Sequence, residues 1–421
     1  MNVVKLWVGV DWGTTSHQMC ILNCSGEVQQ NRSFPANSAG MSAMIQCLLE
    51  QSKGEPGAVF VSIERPHGAL VELLVRHDFV VQSINPKQLD RFRDRHSVAG
   101  AKDDRRDAYV LAHSLMTDSW AFTTVQLSQS EIIQLRELLR IDEDLRIDEN
   151  GLQSRLREQL LRYFPEMLTL IADRADPFLW SLLELAATPE QAAAVTPEQI
   201  EALLKKFRLR RLTVDTVMSA LHSPRLNVSD GTIQAASAHI YFLIPRLRIV
   251  HQQRNEVGKK MEKLLTILTD GVEDESKEEQ GQHRDATILQ SLPGVGRIVL
   301  ATMLAEAGTV IARRDLQGLR SLGGIAPITR RSGKQDQRLM RRACNSRLRY
   351  AFYHWGRTAV QRDALAKHHY SELRAKGHPH GRALRGVVDR LLKVAVAMLK
   401  ANTPYDMQKR QRAKAIVSTA A

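Results

Sequence analysis

The sequence predicts an α/β fold combined with α-helical regions: an N-terminal α/β domain, a helical middle, and a mainly helical, basic C-terminal domain. Residues 1–127 alternate strand-like and helix-like segments, and residues 128–270 carry apolar side chains at helical spacing. Residues 286–421 hold 26 Lys and Arg against 7 Asp and Glu. Residues 271–285 are acidic and polar without apolar periodicity, which predicts a linker.

The N-terminal domain is predicted from the order of its elements. Strands are expected at residues 6–11, 17–23 and 27–33, with a Ser25-Gly26 turn before the third. Further elements are expected at residues 40–51 (helix), 58–63 (strand), 70–76 (helix), 79–84 (strand) and 103–115 (helix). A three-stranded meander followed by alternating helices and strands is the order of a ribonuclease-H-like domain.

The middle region contains two apolar stripes. Leu138, Leu145 and Leu152 repeat every seven residues, and Leu156 and Leu160 continue that stripe. The second stripe steps by four and three residues, with one polar interruption at Arg254, through Leu243, Leu247, Val250, Val257, Met261, Leu264 and Leu268. This pattern fits a coiled-coil hairpin or oligomerisation arm, and it fits core helices of an ordinary bundle equally well. A small helical insert is expected at residues 188–213.

The positive charge is concentrated in the last third of the chain. The whole protein of 421 residues has a net charge of +13, residues 286–421 alone carry +19, and the remainder therefore carries −6. One strongly basic domain indicates a phosphate-binding surface. A solvated basic face is the simpler alternative.

Composition argues against several other classes of protein. No apolar run is long enough to span a bilayer, and the first residues enter a strand-like segment rather than a signal peptide. The four cysteines show no CxxC spacing, which argues against a zinc knuckle or a disulfide framework. We therefore expect a cytoplasmic protein without a membrane partner.

Four acidic residues are candidates for a metal site. Asp11 and Glu64 each end a hydrophobic strand, whereas Asp104 and Asp107 lie three apart on one face of a predicted helix. Such carboxylates repel each other unless cations join them, and the hard ions Mg²⁺ or Mn²⁺ suit the oxygen donors. A strand-terminal Asp taken singly is more often a turn former or helix cap. The set of four indicates metal-assisted chemistry at a phosphodiester.

The C-terminal region contains a turn typical of a helix-hairpin-helix unit. Leu292-Pro293-Gly294-Val295-Gly296 precedes an apolar helix expected at residues 298–307. Gly294 and Gly296 would let backbone amides approach a phosphate at the helix N-terminus. A Pro-Gly turn before any helix looks similar.

The most distinctive stretch surrounds Ser332. Gly333 follows it and can leave the hydroxyl open, and the cations Arg330, Arg331 and Lys334 could bind a phosphate beside it. Further candidate nucleic-acid contacts follow at Arg338, Arg341, Arg342, Asn345, Arg347 and Arg349. From the residues alone, a Ser-Gly turn in a basic DNA-binding loop is the stronger interpretation, because no general base is evident. His354 is a candidate base, but a histidine beside Phe352 and Trp355 is more often structural.

Motifs in both halves resemble the insertion-sequence-110 (DEDD) transposases. The N-terminal half matches through VGVD at residues 8–11, IERPHG at 63–68, INP at 84–86 and AKDDRRDA at 101–108. The C-terminal half matches through LPGVG at residues 292–296, GIAP at 324–327, RSGK at 331–334 and CNSRLR at 344–349. These segments cover most of the chain outside the middle helices. Their order along the chain and their occurrence in both halves are specific for this family.

The resemblance implies a RuvC-like N-terminal domain and a C-terminal transposase domain. Its four acids would correspond to Asp11, Glu64, Asp104 and Asp107, and its nucleophilic serine to Ser332. It also implies donor and target double-stranded DNA as substrates and a structured bridge RNA as guide. Dimers that assemble into tetramers would join the acids of one subunit with the serine of another. Many members have Lys-Thr-Asp where this chain has Lys102-Asp103-Asp104, so Asp103 competes with Asp104 for the third acid. Spacing to Asp107 favours Asp104.

Three functions remain to be separated. The first is a recombinase that cuts and rejoins DNA with Ser332 as nucleophile. The second is a metal-dependent endonuclease of the Holliday-junction-resolving type, in which Ser332 only binds DNA. The third is a non-catalytic adaptor, which leaves the four acids unexplained. A covalent protein–DNA intermediate distinguishes the first from the second.

Overall fold

The computed structural model describes residues 4–64, 66, 68–96, 103–126, 129–171, 176–270, 277–332 and 335–407. The chain divides into two compact units, residues 1–129 and residues 130–421. The boundary between them lies close to the one expected near residue 128. The boundary expected near residue 286 falls inside the second unit.

The first unit is built on a six-stranded mixed sheet with the order β3-β2-β1-β4-β5-β6. Its strands are β1 (Leu6–Trp12), β2 (Ser16–Leu22), β3 (Val28–Pro35), β4 (Val59–Ile63), β5 (Val80–Ser83) and β6 (Thr123–Thr124). The first three form an antiparallel meander, whereas β1, β4 and β5 are parallel. The short β6 adds antiparallel to β5. This arrangement is consistent with the ribonuclease-H-like expectation.

Helices cover both faces of the sheet. They are α1 (Ser38–Ser52), α2 (Ala69–Arg76), α3 (Pro86–His96) and α4 (Asp104–Thr117). Val8 and Val10 of β1 share a core with α1 and α2. Ala108 and Ala112 of α4 pack on the opposite face, where a Cβ on Gly9 would lie 2.0 Å from the Ala108 carbonyl oxygen. Helix α3 is not among the elements expected from the sequence.

Two long helices organise the second unit, α5 (Ser130–Tyr163) and α10 (Asp230–Asp270). Leu135 near the start of α5 shares a core with Met261 near the end of α10. At the other end, Leu160 shares a second core with Leu243. The helices therefore run antiparallel within one chain, and the predicted seam is buried there. Both stripes pack within the chain, in cores that also contain other helices, and self-association through them stays a prediction.

The polar interruption of the seam has partners on the facing helix. Arg254 of α10 contacts Glu149 at 2.5 Å and Asp142 at 3.3 Å, both on α5. His251 lies 3.0 Å from the same Glu149, which is buried. The interruption is therefore a polar cluster that connects the two helices.

Four short helices lie between α5 and α10 along the chain and include the predicted insert. They are α6 (Pro177–Leu185), α7 (Pro189–Ala193), α8 (Pro197–Lys206) and α9 (Val214–Leu221).

The expected linker is wrong over its second part. Residues 271–276 lie outside the described residues, but α11 (Lys277–Gln290) begins inside the predicted linker. Asp285 is buried and forms a two-pronged ion pair with Arg314. A long-range partner thus stabilises a helix that the local acidic composition does not predict.

The remaining elements form the basic end of the second unit. They are α12 (Arg297–Ala312), α13 (Leu316–Leu322), the hairpin of β7 (Ile328–Ser332) and β8 (Gln335–Leu339), α14 (Ser346–Arg362), α15 (Ala364–Ala375) and α16 (His380–Ala401). Their core also contains Ile132, Leu135 and Leu139 of α5. The helical middle and the basic region therefore share one core. Within the described residues, no helix is both long and apolar enough to cross a membrane.

Candidate active site and nucleic-acid surface

Three of the four predicted acids lie at one end of the first unit's sheet. Val10 of β1 pairs with Ile63 of β4, so Asp11 and Glu64 follow on adjacent parallel strands. Asp11 is two residues beyond Gly9 and therefore faces the same side of the sheet, the side on which α4 packs. Asp107 lies on the first turn of α4 and is buried.

Arg93 connects two of these carboxylates. Its Nε lies 3.0 Å from Asp107 Oδ1, and one of its terminal nitrogens lies 3.6 Å from Glu64 Oε2. A third acid, Asp90, accepts from the guanidinium at 2.8 Å. Burial alone would lower the pKa of Arg93, but Asp107, Asp90 and Glu64 outweigh it and raise that pKa. A cation therefore already lies between two predicted metal ligands, and the sequence analysis missed it.

The remaining predicted acid, Asp104, lies at the start of α4. Asp104 is its first residue and is exposed, one helical turn before Asp107. Asp103 is the N-cap, whose side chain accepts from the Arg105 amide at 3.2 Å. Because Asp103 has this capping role, Asp104 is the better candidate for the site.

The chemistry of the acids suits a divalent cation, although the side chains do not form a complete ion cage. Within the described residues, no group of three or more His, Cys, Asp or Glu is arranged to hold a metal ion. Asp107 Oδ2, however, is buried without a hydrogen-bond partner among those residues. Buried carboxylate oxygens are costly unless a cation or donor satisfies them. This oxygen needs a cation or a donor, and Glu64 and Asp107 together attract the Arg93 cation. Both features are expected where carboxylates bind a metal ion.

Ser332 lies at the end of a β-hairpin in the second unit. It is the last residue of β7 and pairs with Gln335 at the start of β8. Gly333 and Lys334 lie outside the described residues, as do the side chains of Ser332, Arg330 and Arg338. The backbone therefore places the serine beside the turn of a hairpin that contains several arginines.

The other predicted nucleic-acid contacts have varied surroundings. Asn345 caps α14 by accepting from the Leu348 amide at 3.0 Å and donates to Glu306 at 2.6 Å, which is a structural role. Arg347 pairs with Glu143 at 2.7 Å. Arg331 and Arg342 are exposed, whereas Arg341 and Arg349 are partly buried. The hairpin and its flanks thus present cations to solvent, but not every predicted residue is available to a phosphate.

The predicted helix-hairpin-helix turn joins α11 to α12. Gly294 has φ +81°, and a Cβ there would lie 2.6 Å from the Ala359 amide nitrogen of α14. Close packing therefore explains this glycine. Gly296 is the exposed N-cap of α12, and a Cβ there would meet nothing within 4 Å. Only Gly296 keeps its predicted availability to a phosphate.

Comparisons with known proteins match both regions. A family model described as "Transposase", of the DEDD type of IS110, matches residues 8–165, and a model of the "Transposase IS116/IS110/IS902 family" matches residues 286–371. The first match contains the four acids, and the second contains Ser332. The chain belongs to the IS110 family of transposases.

Similar proteins occur in several bacteria. The transposase is 29% identical to the "Mini-circle putative transposase for IS117" of Streptomyces coelicolor, over 96% of both chains. It is 24% identical to the "Insertion element IS110 uncharacterized 43.6 kDa protein" of the same organism, again over 96% of each. The "Putative transposase y4uE" of Sinorhizobium fredii is 43% identical, over 49% of this chain and 57% of the relative. The transposase is thus an enzyme that cuts and rejoins DNA.

Proposed function

We propose that the transposase is a site-specific recombinase with Ser332 as nucleophile and the acids Asp11, Glu64, Asp104 and Asp107 as ligands of Mg²⁺ or Mn²⁺. The observation that supports the metal site is Asp107 Oδ2, which is buried and has no hydrogen-bond partner among the residues the structure describes, beside the Arg93–Glu64 contact. When bound, the ion would supply positive charge to stabilise the phosphodiester oxygens during exchange. The N-terminal unit is accordingly a RuvC-like domain.

The serine step exchanges one phosphorus–oxygen bond for another. The Ser332 oxygen attacks phosphorus, its proton leaves, and one deoxyribose oxygen departs and takes up a proton. Rejoining is the reverse attack by a deoxyribose hydroxyl, which frees Ser332. No further reactant is needed, because the bond energy is retained in the protein–DNA phosphodiester. The exposed Arg331 next to the serine, and the exposed Arg342 beyond the other end of the hairpin, would bind flanking phosphates.

The resemblance to the family also suggests the partners. We propose that a structured bridge RNA pairs with donor and target DNA and that dimers assemble into tetramers. The acids belong to the first compact unit and Ser332 to the second. A working site would then combine the acids of one subunit with the serine of another, which keeps the isolated chain inactive.

Trapping a covalent adduct tests the serine. The full-length protein is incubated with guide RNA and nicked DNA, denatured, and mapped by mass spectrometry for a phosphodiester at Ser332. Ser332→Ala should abolish the adduct and keep DNA binding. A Ser332→Ala protein that still cleaves and rejoins DNA would contradict the proposal and favour the resolvase-type endonuclease.

Matched acid variants test the metal site. Asp104→Asn should abolish strand exchange, whereas Asp103→Asn should keep most of it, because Asp103 only caps α4. Mixing Ser332→Ala subunits with Asp11→Asn subunits should restore some cleavage if sites are shared. A mixture that stays inactive, where wild-type protein assembles, argues against sharing between subunits.

A further inference from the structure

The second unit contains a cavity that includes Arg347 and Arg349, two of the predicted nucleic-acid contacts. Its volume is about 740 Å³, within the range of small-molecule sites of roughly 300–1,000 Å³. Residues of α5, α12, α14 and α16 line it. Ile325 and Met340, which flank the β7–β8 hairpin, form part of its wall.

Aromatic side chains line this cavity. Tyr350, Tyr353 and His354 are consecutive or nearly so on α14, and both tyrosines are substantially exposed, at 54% and 40%. The His354 ring meets both tyrosine rings edge to face, at 4.4 and 5.4 Å between centroids. Exposed aromatic rings are the platforms on which unpaired bases stack.

Cations surround the aromatic rings. The acids of the wall are already paired, Asp142 with Arg254 at 3.3 Å and Glu143 with Arg347 at 2.7 Å. Arg146, Arg349 and Arg385 also line the cavity and have no acidic partner among the residues the structure describes. The Arg146 guanidinium lies 5.7 Å from the centre of the Tyr350 ring. An arginine beside an aromatic face can contact both a base and a phosphate.

Neighbouring arginines contribute to the pKa shifts of two groups at the cavity. Burial, and then Arg357 and Arg146, lower the pKa of His354. Burial, and then Arg382, lower the pKa of Arg385. Burial disfavours charge of either sign, whereas the contribution of the arginines is the part that would favour a bound anion.

The adjoining hairpin relates the cavity to Ser332. The serine is four residues beyond Ile328, where the hairpin begins. At about 3.3 Å per residue this is roughly 13 Å along the strand. That length corresponds to about four base-pair steps at ~3.4 Å each. DNA that is held at the serine and lies along the hairpin would thus reach the cavity.

We propose that this cavity binds one unpaired deoxynucleotide of the DNA strand cleaved at Ser332, with its base on Tyr350 and its phosphate at Arg146 and Arg385. This inference rests on the proposed serine function for its choice of strand. A base in intact duplex cannot reach the rings, since its faces stack on neighbouring pairs. The site would therefore select strands opened during recombination.

Fluorescence anisotropy of the full-length protein tests the proposal. The probes are a short labelled oligothymidylate, a duplex DNA of equal length, and an oligouridylate RNA. Tyr350→Leu removes the ring but keeps an apolar side chain, and should weaken oligothymidylate binding by about 5- to 100-fold. Duplex affinity should change less than about twofold. Tyr241→Leu removes a similarly exposed tyrosine from α10, outside the cavity, and should change neither.

A second variant guards against misfolding. Arg146→Gln should reproduce the selective loss, and both variants should keep the wild-type circular dichroism spectrum and melting temperature. Equal losses on duplex and single strand, or no loss, would overturn the proposal. Tighter RNA binding with the same loss would also overturn it, since the occupant would then be RNA.

Failure of the nucleotide site can be distinguished from failure of the proposed serine function. Ser332→Ala should bind oligothymidylate as wild-type protein does. If no covalent adduct forms but Tyr350→Leu still loses single-strand affinity selectively, the serine function fails and the nucleotide site stands. If the adduct forms and Tyr350→Leu binds normally, the nucleotide site fails alone.

Discussion

Replacing Arg93 by glutamine should reveal what its guanidinium does among the carboxylates. The side chain of Asp107 is 5% exposed, while those of Arg93 and Glu64 are 29% and 30% exposed. Removing one partner of a fully buried ion pair costs about 3–5 kcal/mol. Since water reaches two of these groups, we expect Arg93→Gln to lower the stability of the metal-free first unit by only about 1–2 kcal/mol.

The same change should strengthen metal binding. If the acids bind a divalent ion as proposed, that ion must displace Arg93 from Asp107 and Glu64 in the wild-type protein, and in the variant this competition is absent. A gain of about 1–2 kcal/mol corresponds to roughly 5- to 30-fold tighter Mg²⁺ or Mn²⁺ binding. The variant should therefore melt earlier than wild-type protein in chelator and gain more stability when the ion is added.

Calorimetric titration of the full-length protein with Mn²⁺ and thermal melting with and without chelator measure both effects. Arg95→Gln is the matched control, because Arg95 lies on the same helix but pairs with Asp118 at 3.1 Å and is 58% exposed. The control should change neither quantity appreciably. Unchanged or weaker ion binding by Arg93→Gln would refute the idea that the guanidinium occupies the position of the ion.

Three further predictions concern packing and charge. Gly9→Ala places a Cβ 2.0 Å from the Ala108 carbonyl oxygen, so it should destabilise the first unit by about 1–3 kcal/mol or more and reduce ion binding, as melting and titration would show. Glu149→Leu leaves Arg254 without its closest acid and should lower the stability of the second unit by about 2–4 kcal/mol in denaturant melts, with an unchanged transition counting against this. Because the folded pKa of His354 is lowered, stability should fall as pH drops below about 6.5 and level off below the folded pKa. His354→Gln should flatten that dependence, and an identical pH profile would contradict the assignment.

The spacing of residues within one short segment was sufficient to predict the strands and helices that depend on that segment alone. The strands that contain Asp11 and precede Glu64 were predicted nearly to the residue, because alternating apolar side chains identify buried strands. The i, i+3 spacing placed Asp104 and Asp107 on one turn of a helix. The seam of the long α10 was visible from its heptads, including the position of Arg254.

The same spacing was insufficient to predict a helix or a side-chain role that depends on a partner residue far along the chain. The helix that begins at Lys277 was predicted as a linker, because Arg314, which pairs with Asp285, lies far along the chain. Arg93 was missed because its helix is polar and two of its acidic partners, Glu64 and Asp107, come from other segments of the chain. Asn345 was assigned to nucleic acid, yet its bonds to the α14 amide and Glu306 depend on packing.

The sequence by itself determined the family and the strands and helices on which the proposed acids lie, since these depend on residue type and on spacing within single elements. Tertiary structure decided that the α10 seam faces α5, that Arg93 lies between Glu64 and Asp107, and that a cationic, aromatic cavity adjoins the hairpin of Ser332. These features depend on side chains far apart in the chain that meet only when apolar surfaces pack together. Hydrophobic periodicity records which face is buried but carries no information about which partner covers it.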